Sequence, residues 1–401
     1  MTPPGLSDAG RIAYTLRCLL CPQGLDPVLE GVSSQPAAAE LGWPGRPGRV
    51  AIDLQRLQEA FTILSGEREF AVPHDPLGRV SAEALGADCS RPHLTGLART
   101  WADSLATLNP AWRRPVRRAV VFLTHDVDQV NPLQPMGLAG QVVRLGRGLL
   151  RGDATTARRL VRWISSAGRF AETYEQIMCL EREAGAVATY FFMAGPYSFR
   201  RYGSRSGRGR RLRRLAGLVR QYGHRVGLHG CVYSLAQRDY DRQRRDLEVA
   251  AGCQITWHRN HYLVFDSRVS SGLLESAGFR VDTTCGFHDA NGFRAGVAHP
   301  YPLWDWRREA ATGLTEIPLV FMDVAGDLAS DTMWRELYDR LDAAVSMGGA
   351  IAILFHVDNF VIAPKGFHRY AELLGYLKSR GAILDADVAG ETVTAEGPEH
   401  G

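Results

Sequence analysis

The sequence predicts a mixed α/β fold, an irregular (β/α) barrel of parallel strands with a smaller α/β domain before it. Short and almost continuously apolar runs recur from residue 118 onward, as expected of strands that are buried on both faces. Helical patterns lie between most of these runs, and such alternation is typical of parallel βα units. A chain of 401 residues also exceeds the usual size of one compact domain. We therefore expect one large barrel and one small domain.

The N-terminal region predicts two kinds of structure. Residues 1–45 are rich in Pro, Gly and Ala, have few periodic apolar positions, and are expected to be loosely ordered. Between Val50 and Leu64 the apolar pattern changes period, which predicts a short strand running into an amphipathic helix. Helices near 82–86 and 93–108 follow, and prolines at 110 and 115 then interrupt the pattern. This places a small domain at 46–115.

Residues 116–390 are expected to form the barrel, and 391–401 a tail. Six apolar runs predict its strands, at 118–124, 186–193, 225–228, 254–257, 315–322 and 349–355. Helices are predicted near 154–184, 209–222, 238–252, 268–277, 330–347 and 366–380. Because no G-x-G-x-x-G follows a strand, a dinucleotide-binding fold has no support.

Composition is that of an ordinary globular protein, with 45% hydrophobic and 22% charged residues. The net charge of +4 does not by itself indicate a nucleic-acid partner. Seven scattered cysteines, an odd number, argue against a disulfide framework and for a reducing compartment. The first residues lack the pattern of a signal peptide, and no apolar run approaches the roughly 20 residues that span a bilayer. We expect a cytoplasmic protein, and no feature of the sequence selects an oligomeric state.

Polar side chains follow the predicted strands at the same end. The first strand ends in Thr124-His125-Asp126-Val127-Asp128, and side-chain alternation points Asp126 and Asp128 the same way. Four further strand ends carry His229, the segment 258–262, Asp323, and the pair His356 and Asp358. Ordinary surface residues would be spread over both ends of the strands. Since barrel active sites lie at the carboxyl ends, this agreement predicts a metal or acid/base site.

A mixture of carboxylates and imidazoles suits zinc or a similar divalent ion. Three protein ligands with an open position leave room for an activated water. A second carboxylate beside the ion can act as general base, and a histidine on the opposite rim can protonate a leaving group.

Several spaced motifs then resemble the polysaccharide deacetylases, the NodB-homology carbohydrate esterases. Thr124–Asp128 is similar to their first motif, in the form found in a variant branch that reads Thr-His-Asp-Val-Asp. The other similar segments, in order, are Gly223–His229, Arg259–Tyr262, Gly292–Gly296, Glu316–Leu319 and Leu354–His356. Residues 50–70 resemble the small N-terminal domain of that branch, so the resemblance covers most of the chain from about 50 to 385.

The resemblance implies removal of an N-acetyl group from an amino sugar, which belongs to a glycan or to a nucleotide- or lipid-linked saccharide. It implies a divalent ion as cofactor, with zinc the favoured ion. It implies that Asp126 is the general base and His356 the general acid. Asp128 and His229 become metal ligands. Arg259 is expected to orient Asp126 and to hold it ionised.

Two departures from the family pattern matter. In the main family the two acids of the first motif are adjacent, whereas here Val127 separates them. This insertion is acceptable, because alternate residues of a strand point to the same face. The second motif normally supplies another histidine four residues after the first, and Tyr233 stands there. We expect His261 to complete the metal site, with His258 and His125 as less favoured substitutes.

Substrate contacts are expected from Tyr262, Arg294 and Asp323, with Tyr262 or a backbone N–H near it stabilising an oxyanion. Trp304 and Trp306 are candidate sugar contacts, and packing in the core is an equally good interpretation.

Arginines are concentrated in residues 200–220, at positions 200, 201, 205, 208, 210, 211, 213, 214 and 220, and again in 144–162. They are either solvated surface or a site for an anionic group, such as a nucleotide- or lipid-linked sugar or an acidic membrane. Nucleic acid is not expected, because no known binding module accompanies the charge.

Two other functions stay open. The same barrel could hydrolyse a non-sugar C–N bond, since fold does not fix substrate. The absent histidine at Tyr233 also permits a binding protein that has lost its metal and its catalysis.

Overall fold

The computed structural model describes residues 9–25, 38–43, 46–86, 88–128, 170–194, 209–231, 237–323, 328, 330–363 and 365–385. Tyr233, the arginine cluster at 144–162 and residues 200–208 lie outside these ranges.

The N-terminal part combines a two-stranded antiparallel sheet with four helices. Its elements are α1 (Ala9–Leu20), β1 (Ala38–Gly42), β2 (Arg49–Asp53), α2 (Leu54–Leu64), α3 (Ala82–Leu85) and α4 (His93–Ala106). The predicted strand followed by a helix is confirmed, and the Asp53 side chain caps α2 by accepting from the Gln55 N–H at 2.8 Å.

Helix α1 corrects the expectation of loose order at its own residues. Ile12, Leu16 and Leu19 are spaced for one helix face and are fully or almost fully buried. The helix packs against α2 and α4. The short apolar stripe was hidden by the Pro- and Gly-rich sequence around it. Domain boundaries at 45 and 115 stay predictions.

One nine-stranded sheet forms the larger part and confirms the predicted fold class. Its strands are β3 (Val120–Val127), β4 (Thr189–Phe192), β5 (Arg225–Gly230), β6 (Trp257–Asn260), β7 (Val281–Asp282), β8 (Tyr301–Asp305), β9 (Ala310–Glu316), β10 (Leu319–Met322) and β11 (Ala350–His356). Their order is β10-β11-β3-β4-β5-β6-β7-β9-β8, and all neighbours are parallel except β8 and β9. The sheet curls into a half-barrel whose edge strands are β10 and β8.

Helices cover the outside of the sheet. They are α5 (Phe170–Glu183), α6 (Arg210–Gln221), α7 (Gln237–Ala251), α8 (Ser270–Ser276), α9 (Asp331–Val345), α10 (Val357–Ile362) and α11 (Lys365–Ser379). Among the described helices, none has both the length and the apolar character needed to cross a bilayer.

Two strand predictions need correction, and two strands were not predicted. The run predicted at 254–257 forms a strand three residues later, at Trp257–Asn260. The run at 315–322 is divided into β9 and β10, because Pro318 has no N–H to give to the sheet. The short strands β7 and β8 were not predicted.

Alternation along β3 separates the core into two layers. Val120 and Phe122 belong to an apolar cluster with Phe191 and Leu354, whereas Val121 and Leu123 pack in the layer that includes the helices. Asp126 continues the first series, and His125 continues the second. The strand therefore directs alternate residues of one motif to opposite sides of the sheet.

Candidate metal and acid–base site

Three side chains converge where β3, β5 and β6 end. Asp128 follows β3, His229 lies near the end of β5, and His261 follows β6 directly. One ligand atom from each lies within 4.8 Å of the others. Asp128 Oδ1 is 3.3 Å from His229 Nε2, and its Oδ2 is 3.7 Å from His261 Nε2. The structure thus brings together the three residues that the sequence predicts as ligands.

Hydrogen bonding orients the His229 ring toward this cluster. Its Nδ1 lies 3.1 Å from the backbone oxygen of Arg259 and donates to it. That bond leaves Nε2 facing Asp128, and within the described part of the chain neither this Nε2 nor Asp128 Oδ1 has a hydrogen-bond partner. Two imidazoles and one carboxylate with inward-facing lone pairs fit a divalent ion, zinc among them.

Burial and the neighbouring charges shift the pKa values of Asp128 and His261 in the cluster. Burial acts to raise the pKa of Asp128, but His261 and His229 outweigh it and hold the pKa well below its ordinary value. Burial lowers the pKa of His261. An ionised carboxylate and a neutral imidazole are the forms that bind metal.

Asp126 lies beside the cluster and is held by a buried arginine. Arg259 Nη1 donates to Asp126 Oδ1 at 3.0 Å and to Thr124 Oγ1 at 2.9 Å. Its other nitrogens donate to the backbone oxygen and hydroxyl of Thr283, at 3.0 and 2.9 Å. Burial would raise the pKa of Asp126, but His229, Arg259 and His356 outweigh it and lower the pKa. Asp126 is therefore an ionised carboxylate next to the ligand cluster.

His356, at the end of β11, adds a positive charge to that of Arg259. Its Nδ1 lies 2.7 Å from Asp323 Oδ1, and its backbone N–H donates to Asp323 Oδ2 at 2.9 Å. Burial acts to lower the pKa of His356, but Asp323, Asp128 and Asp126 raise it to about 10. The ring is therefore an imidazolium, the form that can donate a proton.

Asp323 is buried beside His356, and a substrate contact by it stays a prediction. Its side chain is fully buried, and it accepts from His356 and from Asn359 Nδ2 at 2.9 Å. The sequence alone does not show whether a carboxylate at the end of a strand faces the cleft or the neighbouring strand. Asp323 fixes the orientation of the His356 ring and stabilises its positive charge.

Arg294 is buried and paired within the protein, and a substrate contact by it stays a prediction. The side chain is 5% exposed and forms a two-point ion pair with Glu69, at 2.9 and 2.8 Å. It also donates to the backbone oxygen of Gly286 at 3.0 Å. Arg294 therefore ties the barrel to the N-terminal part.

Tyr262 lies on the rim of the site. Its ring stacks on His261 with centroids 3.9 Å apart, and the residue is 36% exposed. Its backbone has φ of 59°, a left-handed conformation that non-glycine residues adopt mainly where the fold imposes it. A substrate contact by Tyr262 stays a prediction.

The two tryptophans pack in the structure. Trp304 is 3% exposed and lies against Tyr14 and Phe61, with ring centroids 4.8 and 5.3 Å away. Trp306 donates to the backbone oxygen of Ser65 at 3.0 Å. The core-packing interpretation therefore fits both rings better than sugar contact.

The other histidines considered as ligands face elsewhere. His258 Nδ1 lies 2.7 Å from Asp282, and His125 Nε2 lies 2.6 Å from Glu181 on the helix side of β3. Sequence reasoning missed the roles of Thr124 and Thr283 in holding Arg259. Thr124 belongs to the first motif and shares the face of Asp126, which could have indicated it. Thr283 follows a strand too short to show a pattern.

Comparison with known proteins gives remote similarities. No family model and no curated protein matches the chain. One similar solved structure, described as a polysaccharide deacetylase from Mycobacterium smegmatis, has 13% identity and a TM-score of 0.41, over 70% of this chain and 97% of that one. A family 4 carbohydrate esterase from Streptomyces lividans, in complex with acetate, has 13% identity and a TM-score of 0.34, over 67% and 92%. An allantoinase has 14% identity and a TM-score of 0.46, over 68% and 89%. These likenesses are too remote to carry an argument about activity, which rests on the side chains of the site.

Proposed function

We propose that this protein is a metal-dependent hydrolase that removes an N-acetyl group from an amino sugar. The observation that carries the proposal is the convergence of Asp128, His229 and His261 beside an ionised Asp126. Hydrolysis of an amide needs a base for water and an acid for the departing amine, and His356 supplies the acid.

In this mechanism Asp128, His229 and His261 would hold a divalent ion, preferably zinc. When bound, such an ion would supply Lewis acidity for the acyl oxygen and for the attacking water. Asp126 removes a proton from the attacking water, and Arg259 keeps Asp126 ionised and fixed in place. His356 gives its Nε2 proton to the leaving nitrogen, while Asp323 binds Nδ1.

The substrate in this proposal carries an anionic group, such as a nucleotide or lipid phosphate. Arg210, Arg211, Arg213 and Arg214 are exposed on the first turns of α6. Because β4 and β5 are parallel, the helix between them begins on the side where β4 ends, which is the side of the site. Positive charge there favours an anionic carrier near the cleft.

The decisive experiment is acetate release from a panel of N-acetylated amino sugars, free and linked to a nucleotide or lipid phosphate. The purified protein, loaded with zinc or cobalt, is compared with the Asp126→Asn variant. We expect release by the wild-type protein and almost none by the variant. Ammonia or amine release from non-sugar amides and ureides alone would instead support another C–N hydrolase. No bound divalent ion, and no gain on adding one, would support a binding protein without catalysis.

A further inference from the structure

A second group of buried acids lies behind Arg259, apart from the metal cluster. Asp282 ends β7, Glu316 ends β9, and Cys285 follows β7 by three residues. One ligand atom of each lies within 4.8 Å of the others. Asp282 and Glu316 are fully buried, and Cys285 is 9% exposed.

The two carboxylates differ in the donors that reach them. Asp282 Oδ1 accepts from His258 Nδ1 at 2.7 Å and from the Thr284 hydroxyl at 2.8 Å, and its Oδ2 accepts from the Thr284 N–H at 3.3 Å. Glu316 Oε1 accepts from the Cys285 N–H at 2.8 Å. Glu316 Oε2 is buried without a hydrogen-bond partner among the residues that the structure describes.

Two neighbouring carboxylates that are cut off from water cannot both be ionised without a large cost, so one of them retains a proton. Asp282 has three donors that stabilise its negative charge, whereas Glu316 has one. The proton therefore belongs on Glu316, where Oε2 becomes a donor to Asp282. This assignment gives the otherwise unpartnered oxygen a partner.

The surrounding groups agree with a neutral Glu316. Burial, and then Asp282, raise the pKa of Glu316 well above its ordinary value, against the Cys285 N–H and Arg259. Burial also raises the pKa of the Cys285 thiol and of Tyr301 on β8, so both are neutral. The positive charge of Arg259 is already paired with Asp126.

The acid pair is connected to the site through the two residues after Asp282. Thr283 supplies two of the acceptors that hold Arg259. The Thr284 hydroxyl donates to Asp282 and accepts from the Asn260 N–H at 3.1 Å. Asp282 thus fixes the chain where β7 pairs with β6, through contacts with His258 and, by way of Thr284, with Asn260, the two residues that flank Arg259.

We propose that Glu316 is a neutral hydrogen-bond donor to Asp282, and that this acid pair is a positioning unit for Arg259 and, through it, for Asp126. Its catalytic consequence rests on the function proposed above, but the protonation of Glu316 does not. A cation held by Asp282, Cys285 and Glu316 is the competing explanation. It is less favoured because Asp282 already accepts three hydrogen bonds.

The test compares Glu316→Gln with Glu316→Ala and Asp282→Asn. Glutamine reproduces the neutral acid, since its NH₂ can donate to Asp282 while its oxygen accepts from Cys285. We expect Glu316→Gln to match or exceed the wild-type urea midpoint at pH 7. Asp282→Asn should lose stability, because its NH₂ cannot accept from the Thr284 N–H as Oδ2 does and because the negative charge that its donors stabilise is gone. A group with a raised folded pKa contributes stability that is lost as pH rises above its unfolded value, here 4.5. The advantage of Glu316→Gln over the wild type should therefore grow as pH rises from 4.5.

The ratio of kcat to KM effects is a further measurement, which distinguishes a positioning role from a purely structural one. Glu316→Ala should lower kcat for acetate release at unchanged KM, and Glu316→Gln should restore it. If Glu316→Gln is as unstable as Glu316→Ala, or its advantage does not change with pH, the neutral-donor assignment is wrong. A zinc ion that remains in Asp128→Ala and disappears in Cys285→Ser would establish a cation instead. The unfolding measurements need no substrate and therefore test the protonation of Glu316 by themselves. Failure of the proposed function would instead be seen as the absence of acetate release by the wild-type protein.

Discussion

Arg259 and Asp126 form a buried ion pair, with Nη1 3.0 Å from Oδ1 and the arginine side chain fully removed from solvent. The guanidinium donates to residues of β3 and to Thr283 after β7, so it joins opposite parts of the half-barrel. A carboxylate held in this way is both ionised and fixed in direction, as a general base must be.

Asp126→Asn should lower kcat for acetate release by about 10²- to 10⁴-fold, because an amide cannot accept the proton of water. KM and the circular dichroism spectrum should change little. Asp103→Asn, an exposed carboxylate in α4, is the matched control and should retain full activity. Full activity of Asp126→Asn would show that another group is the base.

His261→Gln should weaken zinc binding by more than about 100-fold. Losing a residue that merely hydrogen-bonds a metal ligand costs up to about 100-fold, and losing a ligand itself should cost more. The measurement is zinc per chain after dialysis against a graded chelator. His368→Gln changes an exposed histidine on α11 and should bind zinc as the wild type does. Unchanged zinc content in His261→Gln would remove His261 from the ligand set.

Asp323→Asn should shift the alkaline limit of kcat to lower pH. Asp323 is the largest of the charges that raise the pKa of His356 to about 10, so its loss makes the ring give up its proton earlier as pH rises. Full pH–rate profiles of the two proteins test this. An alkaline limit that does not move would mean that His356 is not the acid.

Glu69→Gln should destabilise the protein by about 3 kcal/mol, because it leaves the buried Arg294 without its charged partner. Urea unfolding at pH 7 provides the measurement. We expect KM to be unchanged, since the Arg294 side chain is buried against Glu69. A higher KM at unchanged stability would support Arg294 as a substrate contact.

His299 should make the protein sensitive to acid. Its Nε2 donates to the Cys18 backbone oxygen at 2.9 Å, and burial lowers its pKa from 6.5 to about 4. The unfolded chain therefore takes up this proton before the folded protein does. We expect the contribution of His299 to the free energy of unfolding to be fully present above pH 6.5 and to decline by about 3 kcal/mol as pH falls to 4. Urea midpoints between these pH values should fall less in His299→Gln, and equal slopes would contradict the assignment.

The sequence by itself determined the barrel and the end of it that carries the chemistry. Parallel strands between helices are visible as buried apolar runs, and parallel strands place their carboxyl ends together. That rule was enough to group Asp126, Asp128, His229, His261 and His356, and the absence of a histidine at Tyr233 then pointed to His261 as the third ligand. The periodicity of α1 was present but obscured by the composition of its surroundings.

Only the tertiary structure decided which neighbours each polar side chain meets. Asp323 and Arg294 look like cleft residues in sequence, yet their partners, His356 and Glu69, are distant along the chain. Thr283 and the acid pair of Asp282 and Glu316 acquire their roles from the pairing of β6, β7 and β9. Strand pairing brings together residues far apart in sequence, and local periodicity contains no information about that pairing.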